Sequence, residues 1–158
     1  MRTDNMKNII IALLLASAMN IPCYAGSLTA TGELLIENLV PGKEYHIKDI
    51  AGMAFKITNN TDKPMHITVA PVLPDKQLLR KGFKCLPKIG WISVEPKTIV
   101  LEPGKTEYPD VVIKLPRNGK LQGKKFQFHV WSRTVPAAGG GIKVTSGIES
   151  VFLVTVAK

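Results

Sequence analysis

Residues 90–116 read GWISVEPKTIVLEPGKTEYPDVVIKLP and contain three short apolar runs separated by turn signals. The runs occupy residues 91–94, 99–101 and 111–115, and Pro103-Gly104 follows the second of them. Proline presets φ at the second position of a turn and glycine accepts a positive φ at the third, so this pair indicates a tight turn after a strand. The stretch therefore predicts three short β-strands joined by turns.

Strand patterns continue on both sides of this stretch. Apolar residues alternate with polar or small ones over residues 53–58 and again over residues 126–131, as in strands with one face in the core. The turn cluster Asn59–Pro64 separates 53–58 from a further strand at 65–70, so these two strands are expected to form a β-hairpin. Residues 151–154 are continuously apolar, which is typical of a strand covered on both faces.

The two ends of the predicted domain also look like strands. Residues 26–40 predict a first strand that is interrupted at Gly32. Residues 142–156 predict a long last strand that Gly147 divides at a bulge. Between the hairpin and the central stretch, residues 71–87 contain several prolines and a glycine, and they predict a loop with at most a short helical turn.

The number and spacing of these strands predict an all-β fold. The chain has 158 residues, 45% of them hydrophobic, which is enough to bury one core. Seven to nine short strands with no helix in residues 26–158 predict a single antiparallel immunoglobulin-like β-sandwich. An up-and-down barrel is the alternative, because periodicity does not distinguish a closed sheet from two packed ones.

Residues 1–25 predict a secretory signal peptide. A short basic start precedes an apolar run at residues 9–19, and small residues precede a cleavage site after Ala25. A spanning helix needs ~20 apolar residues, so no transmembrane segment is expected in the mature chain. Acylation of Cys23, as in a lipoprotein, is the alternative to cleavage at Ala25. Either way the protein is expected to be exported, to the periplasm or the cell surface.

Charge distinguishes this chain from an average domain. The sequence has 21 Lys and Arg against 12 Asp and Glu, a formal net charge of +9, which favours anionic partners. A basic cluster falls in the proline-rich loop and just beyond it, at Arg80, Lys81, Lys84 and Lys88. It is either a partner-binding surface for an acidic protein or an anionic envelope polymer, or a solvated crossover between two sheets. Nucleic acid is not an expected partner outside the cytoplasm.

Three further residues are candidates for contacts. Removal of the leader leaves Cys85 as a lone cysteine, which is either a small buried residue, a free thiol or half of an intermolecular disulfide. Trp131 and Arg133 fall on the polar phase of their predicted strand. Trp131 therefore belongs either to a second buried face or to a surface that contacts a partner.

Catalytic and metal-binding patterns do not occur in the sequence. The histidines His46, His66 and His129 fall on separate predicted strands without the spacing of metal ligands. His66 and His129 lie on the polar phase and are expected to be solvated. No hydrolase, zinc-protease or phosphate-loop motif is present. The chain is therefore predicted to be no enzyme and to use no cofactor or metal.

The order of turns and strands resembles a known group of exported domains. It is carried by Asn59–Pro64, Val94–Lys105, Val111–Pro116 and then Gly123 before a long strand. This pattern is similar to the immunoglobulin-like first domain of bacterial pilus-assembly chaperones and to WxL-interacting surface proteins. The resemblance implies the fold and the exported location. A pilus chaperone has a second domain that this chain is too short to supply, so no binding residues are carried over.

Two functions are consistent with these expectations. The first is a binding or assembly module, chaperone-like in surface-structure assembly, whose exposed sheet edge accepts a strand from another exported protein. The alternative is a structural subunit that assembles with copies of itself, with Gly26–Leu35 as the exchanged strand.

Overall fold

A computed structural model describes residues 28–50, 52–135 and 145–158. The predicted signal peptide and the glycine run at 139–141 lie outside these residues. In the described parts, no helix is long and apolar enough to cross a bilayer. The described strands are β1 (Leu28–Ala30), β2 (Glu33–Leu39), β3 (Glu44–His46), β4 (Ile57–Asn59), β5 (Met65–Val72), β6 (Lys84–Cys85), β7 (Ile92–Glu95), β8 (Thr98–Leu101), β9 (Thr106–Glu107), β10 (Asp110–Lys114), β11 (Lys125–Thr134) and β12 (Gly147–Val156). Short 3₁₀ turns occupy Ile47–Asp49, Lys76–Leu78, Ile89–Trp91 and Gly119–Leu121.

One layer of the fold is a six-stranded sheet with the two longest strands inside it. Its order is β2-β12-β11-β5-β8, and β6 pairs with β11 next to the end of β5. The strands β11 and β12 pair antiparallel from Lys125↔Thr155 to Arg133↔Gly147. The edge strand β2 runs parallel to β12, and the short β6 runs parallel to β11.

The other layer consists of two three-stranded sheets. Their orders are β1-β4-β9 and β3-β10-β7, and all their pairs are antiparallel. Inward side chains of both layers form one core, in which Phe152 stacks on Phe128 at 4.9 Å and meets the edge of Phe55 at 5.8 Å. This arrangement confirms the predicted all-β, immunoglobulin-like sandwich.

The central stretch folds as its pattern predicts. Its three apolar runs form β7, β8 and β10, with inward residues buried and outward residues largely exposed in β7 and β8. The three strands do not share one sheet, however. β7 pairs with β10, whereas β8 pairs with β5 at the edge of the large sheet. The short turn between β7 and β8 therefore carries the chain from one layer to the other.

The predicted hairpin of residues 53–70 is wrong. β4 pairs with β1 and β9, whereas β5 pairs with β11 and β8, so the two strands belong to different layers. The buried side chain of Asn59 lies in the turn between them, and its amide group donates to the carbonyl oxygens of Lys63 (2.7 Å) and Leu101 (2.9 Å). Its Oδ1 accepts from the backbone of Thr61 (2.9 Å). These bonds hold the turn as a crossover between layers.

The first predicted strand is interrupted where expected, and the interruption changes its layer. β1 pairs with β4 in the smaller sheet, and after Gly32 the chain continues as β2 in the large sheet. Thr31 fixes the crossing, because its N–H donates to the carbonyl oxygen of Lys56 (3.0 Å) and its hydroxyl accepts from the N–H of Lys56 (2.9 Å). The chain thus enters the edge of the large sheet at this point.

The long last strand is described from Gly147 onward, and residues 142–144 lie outside the described parts. Over the described residues of β12, the register against β11 runs without a shift from Gly147 to Thr155, so the bulge expected at Gly147 does not occur there. The register of β2 against β12 shifts instead between Val154 and Val156. In the described part of the chain, Gly147 is the first residue of β12 and is paired with Arg133.

Candidate functional site

The outer face of the large sheet is half covered by the chain itself. The segment that joins β5 to β6, residues 73–83, crosses this face. The backbone N–H of Arg80 donates to Gln127 Oε1 (2.7 Å), and Gln127 Nε2 donates to the carbonyl oxygen of Leu78 (3.0 Å). Leu153 and Gln127 both lie on the outer face and are buried. This confirms that residues 151–154 belong to a strand covered on both faces.

A buried chain of polar side chains continues from Gln127. Its Nε2 also donates to His129 Nε2 (2.8 Å), and His129 Nδ1 donates to Glu149 Oε2 (2.8 Å). The amide orientation of Gln127 is fixed by the bonds to Arg80 and Leu78, so the neutral His129 ring carries its proton on Nδ1. The expectation that His129 is solvated is wrong, since only 3% of the residue is exposed. The covering segment that excludes water comes from elsewhere in the sequence.

The other half of the outer face is open and presents Trp131. This residue is 41% exposed, and the Arg133 guanidinium lies 5.8 Å from the centre of its ring. Arg133 Nε donates to the hydroxyl of Thr68 (3.2 Å), which holds the arginine along the sheet. Ala70 is the neighbour of Trp131 on β5. Together these side chains line a shallow concavity with Val72.

Trp131 leans toward β12 because position 147 has no side chain. A Cβ atom on Gly147 would overlap Trp131 Nε1 and crowd two further atoms of the indole. The φ angle of Gly147 is not in the left-handed region, so the requirement at this position is space rather than backbone conformation. The indole therefore lies over Gly147, the first residue of β12, beside the edge of that strand.

Among the described residues, no strand is hydrogen-bonded to the first part of β12 on its outer side, although β1 comes within 8 Å of β12 between Cα atoms. β2 pairs with β12 only over Val151–Val156, and the last bond is from the N–H of Val151 to the carbonyl oxygen of Gly32 (2.8 Å). Neighbouring residues of a strand point their N–H and C=O groups to opposite sides. The backbone groups of Glu149 and Gly147 therefore point to the same side as those of Val151. We call Gly147–Ser150 the open edge of β12.

The six predicted partner-binding residues fall into two groups. Trp131 and Arg133 lie at the open half of the outer face. The basic cluster lies toward the start of β11, where Lys84 is in register with Phe126, roughly 17 Å along the strand from Trp131. Arg80 forms an ion pair with Glu33 of β2 (2.9 Å), and the remaining cluster residues are exposed: Lys81, Lys84 and Lys88.

Cys85 lies in β6 beside Gln127 and is half-buried. The N–H of the following residue, Leu86, donates to the carbonyl oxygen of Gln127 (3.0 Å), so the thiol is held at the side of the large sheet. The position is consistent with the interpretation of Cys85 as a small, partly enclosed side chain. A role in an intermolecular disulfide stays a prediction.

A second polar cluster, which the sequence did not indicate, lies on the smaller sheets. His46 Nδ1 donates to Asp110 Oδ2 (2.6 Å), and Lys48 Nζ lies 3.3 Å from the same oxygen. The hydrogen bond to Asp110 raises the pKa of His46 above its ordinary value. Burial alone would raise the pKa of Asp110, but the bonds from His46 and Lys48 outweigh it and lower that pKa. Lys114, at 2.9 Å, likewise lowers the pKa of Glu44.

This cluster is an ion-pair network rather than a metal centre. No group of three or more His, Cys, Asp or Glu side chains able to hold a metal ion occurs within residues 28–50, 52–135 and 145–158. The two carboxylates that contact His46 are also paired with lysines, Asp110 with Lys48 and Glu44 with Lys114. The arrangement instead joins β3 to β10 at the edge of its sheet.

Two residues of the candidate site were not predicted as site residues. Gly147 was seen only as a break in a strand, and Glu149 carried no signal. Their importance depends on where β2 ends and on which side of β12 the backbone groups point. A cross-strand relation between Gly147 and Trp131 is a tertiary contact, and a single sequence does not contain a periodic signal for it.

The fold of this chain occurs in known protein structures. The sequence matches no family model and no curated protein. Many solved structures are similar, among them PapD-like domain 7 of human CEP192, at 9% identity and a TM-score of 0.57, with 87% of this chain and 92% of that chain covered. The chain therefore has the immunoglobulin-like fold of PapD-like domains.

Pilus chaperones are also among the similar structures. The CsuC-CsuE chaperone–tip adhesion subunit complex from Acinetobacter baumannii matches at 9% identity and a TM-score of 0.53, covering 82% of this chain and 51% of that chain. The E. coli chaperone DraB matches at 12% identity and a TM-score of 0.52, covering 82% and 55%. The chain spans about half the length of these chaperones. At such identities the similarity establishes the fold alone.

Proposed function

We propose that this protein is a non-enzymatic assembly module of the cell envelope that holds another exported protein by strand addition at the open edge of β12. The observation that carries the proposal is the end of β2–β12 pairing at Val151, which leaves Gly147–Ser150 without a hydrogen-bonded strand on that side among the described residues. An incoming strand would continue the line of β2 along the same side of β12.

The backbone groups at this edge supply the bonds that such a strand needs. The N–H and C=O groups of Gly147 and Glu149 point outward, and main-chain hydrogen bonds give strand addition its affinity. Trp131 lies directly beside them, over Gly147. Exposed tryptophans are frequent anchors of protein interfaces. The proposed partner therefore pairs with the edge through its backbone and places a side chain against the indole.

The similar structures support this mode of action at the level of the fold. They include complexes of a chaperone with a pilin or a tip subunit. We propose a partner of the same kind for this chain, namely an exported subunit of a surface structure. The predicted signal peptide of residues 1–25 supports a periplasmic or surface location.

A proline at position 149 tests the open edge without breaking the sheet. Proline removes the outward N–H of Glu149, and proline is tolerated in a strand where that N–H does not belong to the ladder. Glu149→Ala is the matched control, since it also removes the bond from His129 but keeps the N–H. The measurement is the yield of cross-linked partner captured by a tagged chain in its native envelope.

We expect Glu149→Pro to reduce capture at least about tenfold relative to Glu149→Ala, as the loss of about 1.4 kcal/mol of main-chain bonding would do. Equal capture by both variants would refute strand addition at this edge. Circular dichroism and thermal unfolding are measured for both variants to check that they are folded.

Sedimentation of the exported chain over a wide concentration range distinguishes the two kinds of partner. A monomer that captures a different protein supports the assembly module. Self-association at low concentration supports the alternative, a structural subunit. In the structure Leu28 is buried and β1 is paired with β4 of the same chain, so exchange of Gly26–Leu35 between copies would have to break these contacts.

A further inference from the structure

The end of the sandwich where β11 begins and β12 ends gathers lysines from separate segments of the chain. Lys125 is the first residue of β11, and the carbonyl oxygen of Lys124 accepts from the N–H of Val156 (2.9 Å). Lys158 follows β12, and its Cγ is 3.8 Å from the position that a Cβ on Gly123 would take. Lys84 comes from β6, and Lys120 comes from the 3₁₀ turn before β11. We call these residues the cationic end: Lys84, Lys120, Lys124, Lys125 and Lys158.

The positive charge of the cationic end is not neutralised by ion pairs within the described residues. All five side chains are exposed, and none of them belongs to the salt bridges of this part of the chain. One exposed carboxylate, Glu37 of β2, lies nearby, since Asn38 binds Thr155 and Thr155 is paired with Lys125. At the opposite end, by contrast, lysines lie next to acids in the turns that contain Asp62-Lys63 and Glu102–Lys105.

Three of these lysines come from neighbouring strands of the large sheet. Lys84 on β6, Lys125 on β11 and Lys158 after β12 follow the order of the sheet, whose strands are about 4.8 Å apart. The Lys125 ammonium is 5.9 Å from the centre of the Phe83 ring, which supports its stem while the charge stays at the surface. Exposed point charges that are spread over neighbouring strands match a linear chain of anions better than one compact ligand.

We propose that the cationic end binds a linear polyanion whose charges are phosphate groups. Lysine attracts phosphate as a compact point charge, and the free energy of such binding comes mainly from the counterions that the polymer releases. The cationic end and the open edge of β12 lie at opposite ends of a ten-residue strand, roughly 30 Å apart. The protein can therefore hold a polypeptide and an anionic polymer at the same time.

The test uses long-chain inorganic polyphosphate as the probe and the full chain purified after export. The test variant combines Lys84→Gln, Lys124→Gln and Lys125→Gln. The control variant combines Lys63→Gln, Lys97→Gln and Lys105→Gln, which removes the same charge from exposed positions at the other end of the molecule. Binding is measured by fluorescence anisotropy at several salt concentrations.

We expect the test variant to bind polyphosphate at least about tenfold more weakly than the control variant, and its log–log salt slope to fall by roughly two, at about 0.7 per lost contact. Orthophosphate at the same phosphate concentration should not compete. Equal losses in both variants would overturn the proposal, because binding would then follow net charge alone. Binding to vesicles of anionic phospholipid without binding to polyphosphate would also overturn it, in favour of a membrane surface.

Discussion

The indole of Trp131 lies against the backbone of Gly147, where the open edge of β12 begins. Trp131 is paired with Glu149 and Gly147 with Arg133, so the ring leans diagonally across the two strands. The arrangement joins the outer face of the large sheet to the strand edge, and it exists because residue 147 has no Cβ atom.

Gly147→Ala tests this contact. The added methyl group has to displace the indole, so we expect a shift in tryptophan emission and a loss of about 1–3 kcal/mol of unfolding free energy, as for overpacked sites. Gly119→Ala is the control, since a Cβ there meets no atom within 4 Å. Intrinsic fluorescence and urea unfolding are measured for both. An emission spectrum unchanged by Gly147→Ala would contradict the contact.

Asn59 provides a test of the crossover between the layers. Asn59→Ala removes the side-chain donor to the carbonyl oxygen of Leu101 and one of two side-chain donors to that of Lys63, and a buried group that loses its partner costs about 1–3 kcal/mol. We expect the free energy of unfolding to fall by at least about 2 kcal/mol. Asn60→Ala, at the exposed neighbouring residue, should change it by less than about 0.5 kcal/mol. Similar losses in both variants would show that the turn does not depend on Asn59.

The positions of individual strands were predictable, because a strand shows its pattern in residues that are close together in the sequence. The apolar runs of residues 90–116 bound β7, β8 and β10 closely, since alternation depends only on neighbouring residues. The break at Gly32 and the double covering of residues 151–154 were visible for the same reason. These features together were sufficient for the immunoglobulin-like fold.

Pairing and burial were not predictable to the same extent. The prediction of a hairpin over residues 53–70 failed because β4 and β5 pair with distant segments in different layers, and a turn sequence does not record that pairing. His129 has a polar position in its strand, yet a segment some 50 residues earlier excludes water from it. The lysines of the cationic end lie in three separate parts of the sequence, at residues 84, 120–125 and 158. Each of these depends on contacts between distant parts of the chain.

Gln127 is expected to anchor the covering segment. Gln127→Met keeps a similar shape but removes the acceptor of the Arg80 N–H and the donor to Leu78. We expect faster hydrogen exchange at the Arg80 amide and a loss of about 1–3 kcal/mol of stability. Gln122→Met, at an exposed position, is the control. An Arg80 amide that exchanges as slowly as in the wild type would show that other contacts hold the segment.

The bond between His46 and Asp110 predicts a defined dependence of stability on pH. The pKa of His46 is raised from its ordinary value of 6.5, so its contribution is complete below that value and is lost as the pH rises through the folded pKa. The pKa of Asp110 is lowered from 3.8, so its contribution is present above that value and is lost as the pH falls through the folded pKa. The bond therefore stabilises the protein most between pH 3.8 and pH 6.5.

Asp110→Asn should accordingly destabilise the protein more within that window than at a pH above the folded pKa of His46, and it should lower the pKa of His46. Urea unfolding at one pH in each range measures the first effect, and an NMR titration of the imidazole measures the second. Asp75→Asn removes an exposed carboxylate from the covering segment, on the other layer, and should have the same effect in both ranges. A destabilisation by Asp110→Asn that does not vary with pH would mean that the carboxylate acts through Lys48 rather than through His46.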